Sequence, residues 1–229
     1  MPKNRPIIAI DGPAGAGKST VAWMVAERLG YVYIDTGAMY RAVAWKVLEE
    51  GIPLSNHAKI AELARRTDLS FAYIDGEQHI FADGVDVTQA IRTPEATRLS
   101  SPVSAIHGVR KRLVDLQRKM AEDGGVVMEG RDIGTVVFPN AEVKVCLTAS
   151  VTERARRRAE QLKEMGMEAD IEQIAADIRE RDLRDSSRRH APLKQASDAR
   201  LVESDNLTVE QVVEKIIAIH DEKVSGQGR

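Results

Sequence analysis

The sequence predicts an α/β fold in which helices cover both faces of a parallel central sheet, a three-layer α/β/α arrangement. Short apolar runs rich in β-branched residues alternate along the chain with longer segments of helical periodicity. The first run, residues 7–10, is apolar throughout and predicts a buried strand. A helical pattern over residues 19–29 follows it and ends at Gly30, a residue typical of helix C-termini.

The remaining strands and helices continue this alternation. We predict further strands at residues 31–34, 126–128, 143–147 and 201–202. We predict further helices at residues 39–50, 109–120, 171–178 and 212–219, and one more that opens at residue 150. Two capping boxes, Ser150 with Glu153 and Thr208 with Gln211, mark where two of these helices begin.

One segment, residues 69–87, departs from the parallel pattern. It alternates polar and apolar residues and contains two Asp-Gly pairs, at residues 75–76 and 83–84. An Asp-Gly pair between alternating runs is a strong hairpin signal. We therefore predict a small antiparallel sheet inserted into the parallel architecture.

Composition excludes several classes of protein. The 33 Lys and Arg residues nearly balance the 35 Asp and Glu residues, so the chain is not a globally basic nucleic-acid-binding protein. No run approaches the roughly 20 apolar residues that span a bilayer, and the N-terminus lacks the apolar core of a signal peptide. Cys146 is the single cysteine and has no internal partner for a disulfide. We expect a cytoplasmic protein that does not bind membranes.

A phosphate-binding loop follows the first strand and opens the first helix. The motif G-x-x-x-x-G-K-[ST] occupies residues 12–19, and with the following threonine the phosphate loop comprises nine residues: Gly12, Pro13, Ala14, Gly15, Ala16, Gly17, Lys18, Ser19 and Thr20. Small residues allow successive backbone N–H groups to converge on phosphate oxygens at a helix N-terminus. Lys18 then supplies a cation for the β- and γ-phosphates, and the Ser19 hydroxyl is a candidate Mg²⁺ ligand.

The arginines are concentrated in a few segments. Four occupy the start of one predicted helix: Arg154, Arg156, Arg157 and Arg158. Five occupy the end of the next helix and the turn after it: Arg179, Arg181, Arg184, Arg188 and Arg189. Such runs are usually solvated faces. Here a polar connection joins the two helices, which favours a lid over a triphosphate, because guanidinium groups bind phosphate in a bidentate manner.

A second polar segment, residues 35–41, follows a predicted strand and begins a helix. In open parallel sheets, ligands bind at the carboxyl ends of strands, and Arg41 is placed there to hold a phosphate. These residues alone are equally consistent with Thr36 as an N-cap and Tyr40 as a core residue.

Six segments of the chain resemble the bacterial cytidylate kinases, within the nucleoside-monophosphate kinases. They are residues 10–20 (IDGPAGAGKST), 35–41 (DTGAMYR), 91–93 (IRT), 130–139 (GRDIGTVVFP), 153–158 (ERARRR) and 180–185 (ERDLRD). The resemblance implies a P-loop NTPase fold and a single kinase domain over residues 1–229. Within it we expect an inserted monophosphate-binding subdomain at about 36–108, which includes the hairpins, and a lid at about 154–170.

The resemblance also implies transfer of a phosphoryl group from ATP, with Mg²⁺, to CMP or dCMP by a monomeric enzyme. The acceptor residues that it implies are Thr36, Tyr40, Arg41, Ser101, Arg110, Arg131, Asp132, Arg181, Asp185 and Arg188. The catalytic residues that it implies are Lys18, Arg131, Arg157 and Arg188. Among the acceptor residues, Asp132 and Ser101 can accept from the cytosine amine and Arg110 can donate to the base.

Several alternatives stay open from the sequence. Ser101 precedes Pro102 and is also consistent with the start of a turn, and Arg110 with a solvated helix residue. Glu129 stands where many of these kinases carry Asp, so we leave it out of the predicted site. The rival functions are a kinase for UMP or dTMP and a non-catalytic ATP-binding regulator.

Overall fold

The computed structural model describes residues 5–164, 166–188 and 190–226. Its strands are β1 Ile7–Asp11, β2 Val32–Asp35, β3 Leu69–Ile74, β4 Glu77–Ala82, β5 Val85–Asp86, β6 Val126–Gly130, β7 Val143–Thr148 and β8 Arg200–Glu203. Its helices are α1 Lys18–Leu29, α2 Thr36–Glu49, α3 His57–Arg66, α4 Pro94–Ala105, α5 His107–Met120, α6 Val151–Glu164, α7 Ile171–Ser187 and α8 Val209–Gly226. By its contacts the chain divides into two units: the first runs to Tyr33 and resumes at Ala121, and the second is Ile34–Met120.

The central sheet has five strands in the order β2-β6-β1-β7-β8. β1 pairs in parallel with β6 on one side and β7 on the other, so that Ile8 lies opposite both Val127 and Val143. β7 pairs in parallel with β8. The predicted parallel sheet is confirmed, and its order places the carboxyl ends of β1, β6 and β7 side by side at one edge.

The core of the first unit lies between the sheet and the helices α1 and α8. Ile10 and Leu147 of the sheet are completely buried there. Val25 of α1 and Ile216 of α8 belong to the same apolar cluster. This burial stabilises the strand from which the phosphate loop emerges, since each fully buried aliphatic side chain contributes roughly 1.5–3 kcal/mol.

The predicted antiparallel insert is confirmed in the second unit. β3 pairs antiparallel with β4, and β4 pairs antiparallel with β5. Asp75 and Asp83 have φ values of 52° and 51°, which is the left-handed conformation that a two-residue hairpin turn requires at its first position. The two Asp-Gly pairs are therefore the turns of the two hairpins.

Two helices of the second unit were not predicted from the sequence. α3 begins after Asn56, whose side chain accepts a hydrogen bond from the Lys59 N–H at 3.1 Å. α4 begins at Pro94 after the N-cap Thr93 and continues through Pro102. A proline inside a helix removes one backbone hydrogen bond and argues against helix from sequence alone, so tertiary packing overrides the local preference here.

Candidate active site

The phosphate loop joins β1 to α1 and lies against the strand β7. A Cβ atom at Gly12 would lie 1.9 Å from the carbonyl oxygen of Leu147, so only glycine allows this approach of the two backbones. Gly17 is the N-cap of α1 with φ 88°. Ser19 and Thr20 are exposed on the first turn of the helix. The predicted strand–loop–helix arrangement is confirmed.

Lys18 is buried at the head of α1, with 5% of its surface exposed. Its Nζ donates to the carbonyl of Pro13 at 2.7 Å. Burial and, after it, the positive charge of Arg131 lower the pKa of Lys18 to about 7, against the opposing effect of the negative charge of Glu129. A lysine held in this way among other cations favours a bound anion, which would restore its charge.

Asp11 is a buried carboxylate that the sequence analysis did not assign to the site. It accepts hydrogen bonds from the backbone N–H groups of Ile133, at 2.7 Å, and Gly134, at 2.8 Å. Burial raises its pKa to about 6, although these two hydrogen bonds favour the charged form. The signal in the sequence was a carboxylate at the end of a buried strand, directly before the phosphate loop.

Asp132 lies at the start of a π-helix, Ile133–Val137, which follows β6. Its side chain is buried, and its backbone carbonyl accepts from the Val136 N–H at 2.8 Å. Single π-helical turns occur frequently at functional sites. Asp11 binds the first turn of this segment, so the loop that carries Arg131 and Asp132 is tied to the end of β1.

The structure brings Arg131, Asp185 and Arg188 into one cluster. Arg131 Nε donates to Asp185 Oδ2 at 3.0 Å, and Arg188 Nε donates to the backbone carbonyl of Asp185 at 3.2 Å. Burial raises the pKa of Asp185, but the charges of Arg131 and Arg188 outweigh burial and hold that pKa below its usual range. Arg181 belongs to the same surroundings, since its charge lowers the pKa of Lys18.

The spacing of Arg181, Arg184 and Arg188 is that of one helical face, but Arg188 lies just beyond the end of the helix. α7 ends at Ser187, and Arg188 is its C-cap residue, with φ −55° and ψ 136°. Arg188 therefore leaves the helix direction, which allows its Nε to reach back to Asp185. Arg189 lies outside the described residues.

The arginines of α6 differ from one another. Arg156 pairs with Glu153 and Glu160 on an exposed face, as a solvated residue does. Arg157 donates through Nη2 to the carbonyl of Ser204 at 2.8 Å and through Nε to Glu153 at 2.8 Å. A Cβ atom at Gly17 would lie 3.6 Å from Arg157 Nη1, so this guanidinium lies beside the phosphate loop. Only Arg157 of this pair is close to the loop.

Glu129 is a second residue that the sequence analysis left out. It is buried in β6 and accepts a hydrogen bond from the Tyr33 hydroxyl at 2.6 Å. Its negative charge raises the pKa of Lys18. Cys146 is partly buried and lies opposite Asp11 in the sheet register. Burial raises the pKa of its thiol, so the structure provides no activation of a nucleophile.

In the second unit, the start of α2 carries three predicted residues. Asp35 is the N-cap: it accepts from the Ala38 N–H at 2.9 Å and from Arg41 Nη2 at 2.9 Å. Thr36 is buried as the first helical residue, so the alternative that Thr36 is the N-cap is wrong. The Arg41 side chain remains 27% exposed.

Arg110 and Ser101 also belong to the second unit. The alternatives of a solvated helix residue for Arg110 and the start of a turn for Ser101 are both wrong. Arg110 is 4% exposed and donates to the Ser104 carbonyl at 3.3 Å, so it is not a solvated residue. Its guanidinium carbon lies 5.6 Å from the centroid of the Tyr40 ring, within cation–π range. Ser101 lies inside α4 rather than at a turn, and its carbonyl accepts from Ser104 Oγ at 2.7 Å.

The candidate residues thus form two groups. Those around Lys18 in the first unit are the phosphate loop, Arg131, Asp132, Arg157, Arg181, Asp185 and Arg188. Those in the second unit are Thr36, Tyr40, Arg41, Ser101 and Arg110. The first group gathers cations around a loop of backbone N–H groups, which is chemistry suited to a polyphosphate.

Comparisons with known proteins agree on one family. A family model described as cytidylate kinase matches residues 8–222. The cytidylate kinase of Desulforamulus reducens is 54% identical over 210 residues, which cover 92% of this chain and 94% of that protein. The bifunctional pantoate ligase/cytidylate kinase of Synechococcus sp. (strain JA-2-3B'a(2-13)) is 50% identical over 230 residues, 99% of this chain; the chain spans 42% of that protein's length.

A solved structure supports the fold alone. The crystal structure of an uncharacterized protein from Eubacterium ventriosum superposes with a TM-score of 0.54 at 15% identity, covering 95% of this chain and 99% of that one. The family model extends over the phosphate loop and the arginine-bearing helices α6 and α7. The chain therefore belongs to the cytidylate kinase family, a family of nucleoside-monophosphate phosphotransferases.

Proposed function

We propose that this chain transfers the γ-phosphoryl group of ATP to CMP or dCMP, which yields ADP and CDP or dCDP. The observation that carries the proposal is the environment of Lys18, a buried lysine whose pKa is lowered by burial and by Arg131 and Arg181. Such a concentration of cations at a helix N-terminus favours the binding of anionic groups such as phosphates. The nine residues of the phosphate loop bind the donor.

The chemistry is in-line transfer by positioned charges. An ionised oxygen of the acceptor phosphate attacks the γ-phosphorus, and the bond from that phosphorus to the β,γ-bridging oxygen breaks, so that the electron pair leaves with ADP. The attacking oxygen needs no strong general base. Lys18 stabilises charge on the β- and γ-phosphates, and Arg157, beside the loop, stabilises the transferring group.

On the acceptor side, arginines hold the phosphate and three residues recognise the base. Arg41 and Arg131 bind the acceptor phosphate, and Arg188 reaches the reacting phosphates. Asp132 and Ser101 accept from the cytosine amine, while Arg110 donates to the ring. Arg181 and Asp185 bind the ribose. The remaining acceptor residues are Thr36 and Tyr40.

Mg²⁺ fits the donor side of this arrangement. The Ser19 hydroxyl is an exposed oxygen ligand on the first turn of α1, and hydroxyl and phosphate oxygens suit a hard cation. Ser19 would hold the ion together with nucleotide phosphates, and the ion would supply charge neutralisation. Lys18 and the backbone N–H groups of the loop orient the phosphates independently of it.

The division of the chain suggests a division of labour. The unit Ile34–Met120 contains the hairpin insert and five of the acceptor residues. We assign the acceptor-binding subdomain to residues of about 36–108 within it, and the lid to about 154–170, around α6. The unit Ile34–Met120 extends beyond this range through α5, which carries Arg110.

We also propose a monomer located in the cytoplasm. A single cysteine, near-neutral charge and small-molecule substrates support this assignment. In the described part of the chain, no helix is both long and apolar enough to cross a membrane. Gel filtration with light scattering at micromolar concentration tests the monomer, for which one species near 25.2 kDa is expected.

A coupled assay of ADP release across the nucleoside monophosphates tests the reaction. We expect kcat/KM for CMP and dCMP to exceed that for UMP and dTMP by about tenfold or more, because a base-reading contact contributes about 1–3 kcal/mol. Equal rates with UMP or dTMP would show a kinase of another specificity. ATP binding without transfer to any acceptor would show a non-catalytic ATP-binding protein.

Asp132→Ala tests the reading of the base. We expect the ratio of kcat/KM for CMP over UMP to fall by about tenfold, while kcat at saturating acceptor changes less. The ratio is independent of the fraction of folded enzyme, which matters because Asp132 is buried. An equal loss for both acceptors would contradict the base-reading role. Asp123→Ala, at an exposed position of the same unit, is the matched control.

A further inference from the structure

Arg154 stands apart from the other arginines of α6 because it is buried. Its Nε donates to the Ala149 carbonyl at 3.0 Å. Its Nη1 donates to the Ala14 carbonyl at 3.1 Å and to Asp182 Oδ1 at 3.0 Å, and its Nη2 donates to Asp182 Oδ2 at 2.6 Å. The residue is 4% exposed. A guanidinium has five N–H donors, and four of them are engaged here.

These contacts assign a different task to Arg154 than to Arg157. Arg157 lies three residues further along the same helix and beside Gly17. Arg154 forms a bidentate pair with Asp182, the strong geometry for an arginine and a carboxylate. An arginine that is buried and paired in this way does not bind a phosphate without losing its partner, so it acts through the groups that it holds.

One of those groups is part of the phosphate loop. In a planar trans peptide the carbonyl of Ala14 and the N–H of Gly15 point in opposite directions. By holding the Ala14 carbonyl, Arg154 therefore sets the direction of the Gly15 N–H, one of the donors of the loop. The stem of Arg154 also packs here: a Cβ atom at Gly15 would lie 3.4 Å from Arg154 Cβ.

The other end of the contact lies on α7. Asp182 follows Arg181 on that helix and precedes Asp185 by about one turn. Arg181 and Asp185 belong to the proposed acceptor site. Arg154 thus joins the phosphate loop, the start of α6 and α7 through a single side chain. None of these contacts was apparent from sequence, because Asp182 lies 28 positions beyond Arg154.

We propose that Arg154 is a positioning residue of the donor site, which fixes the Ala14–Gly15 peptide for ATP and depends on Asp182 to do so. The inference rests on the proposed function for the identity of the donor. It predicts that weakening the Arg154–Asp182 pair impairs ATP binding more than acceptor binding, because the displaced group belongs to the phosphate loop.

Asp182→Asn tests this with little risk to folding, since the Asp182 side chain is 27% exposed. We expect KM for ATP to rise about five- to tenfold, because small displacements of positioning groups are costly. KM for CMP should stay within twofold and the melting temperature close to that of the wild type. Asp177→Asn on the same helix is the matched control; that carboxylate accepts from Gln173 Nε2, and we expect no change.

Arg154→Lys provides a second variant, because lysine keeps the charge but lacks the bidentate fork. It should raise KM for ATP at least as much as Asp182→Asn, and the double variant should be no worse than Arg154→Lys alone. Additive effects in the double variant would overturn the proposal. An equal rise in KM for ATP and CMP, or KM for ATP within twofold of wild type in both single variants, would overturn it as well.

Calorimetric titration of ATP without acceptor separates this proposal from the proposed function. If the wild type binds ATP but transfers to no monophosphate, the proposed reaction is wrong. Asp182→Asn must still weaken ATP binding by about fivefold for the role of Arg154 to stand. If the wild type transfers to CMP and Asp182→Asn binds ATP as tightly as wild type, the reaction stands and the role of Arg154 does not.

Discussion

The candidate residues of the two units are held in different ways. Around the phosphate loop of the first unit, Asp11 is buried and accepts from the distant backbone N–H groups of Ile133 and Gly134, and Arg131 pairs with Asp185. In the second unit, Arg41 is about one quarter exposed and pairs with Asp35, six residues before it on the same helix start. The first arrangement depends on contacts between distant segments, and the second on local helix capping.

This difference indicates which side is preorganised. Turning a buried, multiply bonded group is expensive, so we expect the proposed donor site to keep its geometry whether or not nucleotide binds. Asp35 remains the N-cap of α2 through its hydrogen bond from Ala38, so Arg41 can exchange this carboxylate for a phosphate at small cost. We expect substitutions near the loop to change the rate and stability, and those in the second unit to change acceptor binding.

Lys18→Met should have the largest effect. The variant loses the positive charge that, in the proposed mechanism, stabilises the β- and γ-phosphates, and this loss should lower kcat/KM by roughly 10²- to 10³-fold. Because Lys18 belongs to the donor side, the loss should be equal for CMP and UMP in the ADP-release assay. A loss of kcat/KM for only one of the two acceptors would contradict the assignment of Lys18 to the donor side. Lys163→Met, at an exposed position of α6, is the control and should leave kcat/KM unchanged.

Arg41→Met should come second and affect the acceptor alone. Loss of a charged contact to the acceptor phosphate should raise KM for CMP by about 30-fold, with KM for ATP within twofold. Arg98→Met is the matched control, since Arg98 is a highly exposed arginine of the same unit. Steady-state kinetics with each substrate varied in turn measure both constants. A parallel rise in KM for ATP would contradict the separation of the two sides.

Arg157→Ala should lower kcat by about tenfold, because its guanidinium lies beside the loop and, in the proposed mechanism, stabilises the transferring group. Arg158→Ala provides the comparison on the same helix: Arg158 is exposed and donates only weakly to Gln161, at 3.4 Å. Single-turnover rates measured in rapid-quench experiments report the transfer step directly. Equal rates for the two variants would show that Arg157 belongs to the solvated face.

Asp11→Asn should have the smallest effect, seen in stability. Burial raises the pKa of Asp11 from 3.8 to about 6. Between these two pH values, the Asp11 carboxyl is protonated to a greater extent in the folded protein than in the unfolded chain. Wild type should therefore gain about 1 kcal/mol of unfolding free energy over the variant as the pH falls from 7 to 5. Urea unfolding of both proteins at the two pH values measures this difference, and a constant difference would contradict it.

Asp83, in the second unit, has a lowered pKa, in contrast to the raised pKa of Asp11. The hydrogen bond from Lys46 holds the pKa of Asp83 below its ordinary value. Its stabilising effect is therefore complete between pH 7 and 5 and is lost only at lower pH, as Asp83 takes up its proton. Asp83→Asn should differ from wild type by the same amount at pH 7 and pH 5.

The elements that carry strong local signals were predictable from the sequence. The phosphate loop, the two Asp-Gly hairpins and the helix stop at Gly30 depend on backbone conformations that few residues adopt, so their residues indicate them directly. α4 was not predictable, because Pro102 opposes helix locally and packing in the second unit overrides it. The same is true of the π-helix at Ile133–Val137, which Asp11 holds from β1.

The sequence by itself determined the fold class, the donor loop and the family resemblance, since each rests on residues close together in the chain. Only the tertiary structure decided what each charged residue does. Arg154 and Arg157 share one face of α6, and no local pattern separates them. The first is buried against Asp182 and Ala14, and the second lies beside Gly17 and Ser204. Partners this distant in sequence are brought together by packing of the sheet and helices, which is why composition and spacing do not reveal them.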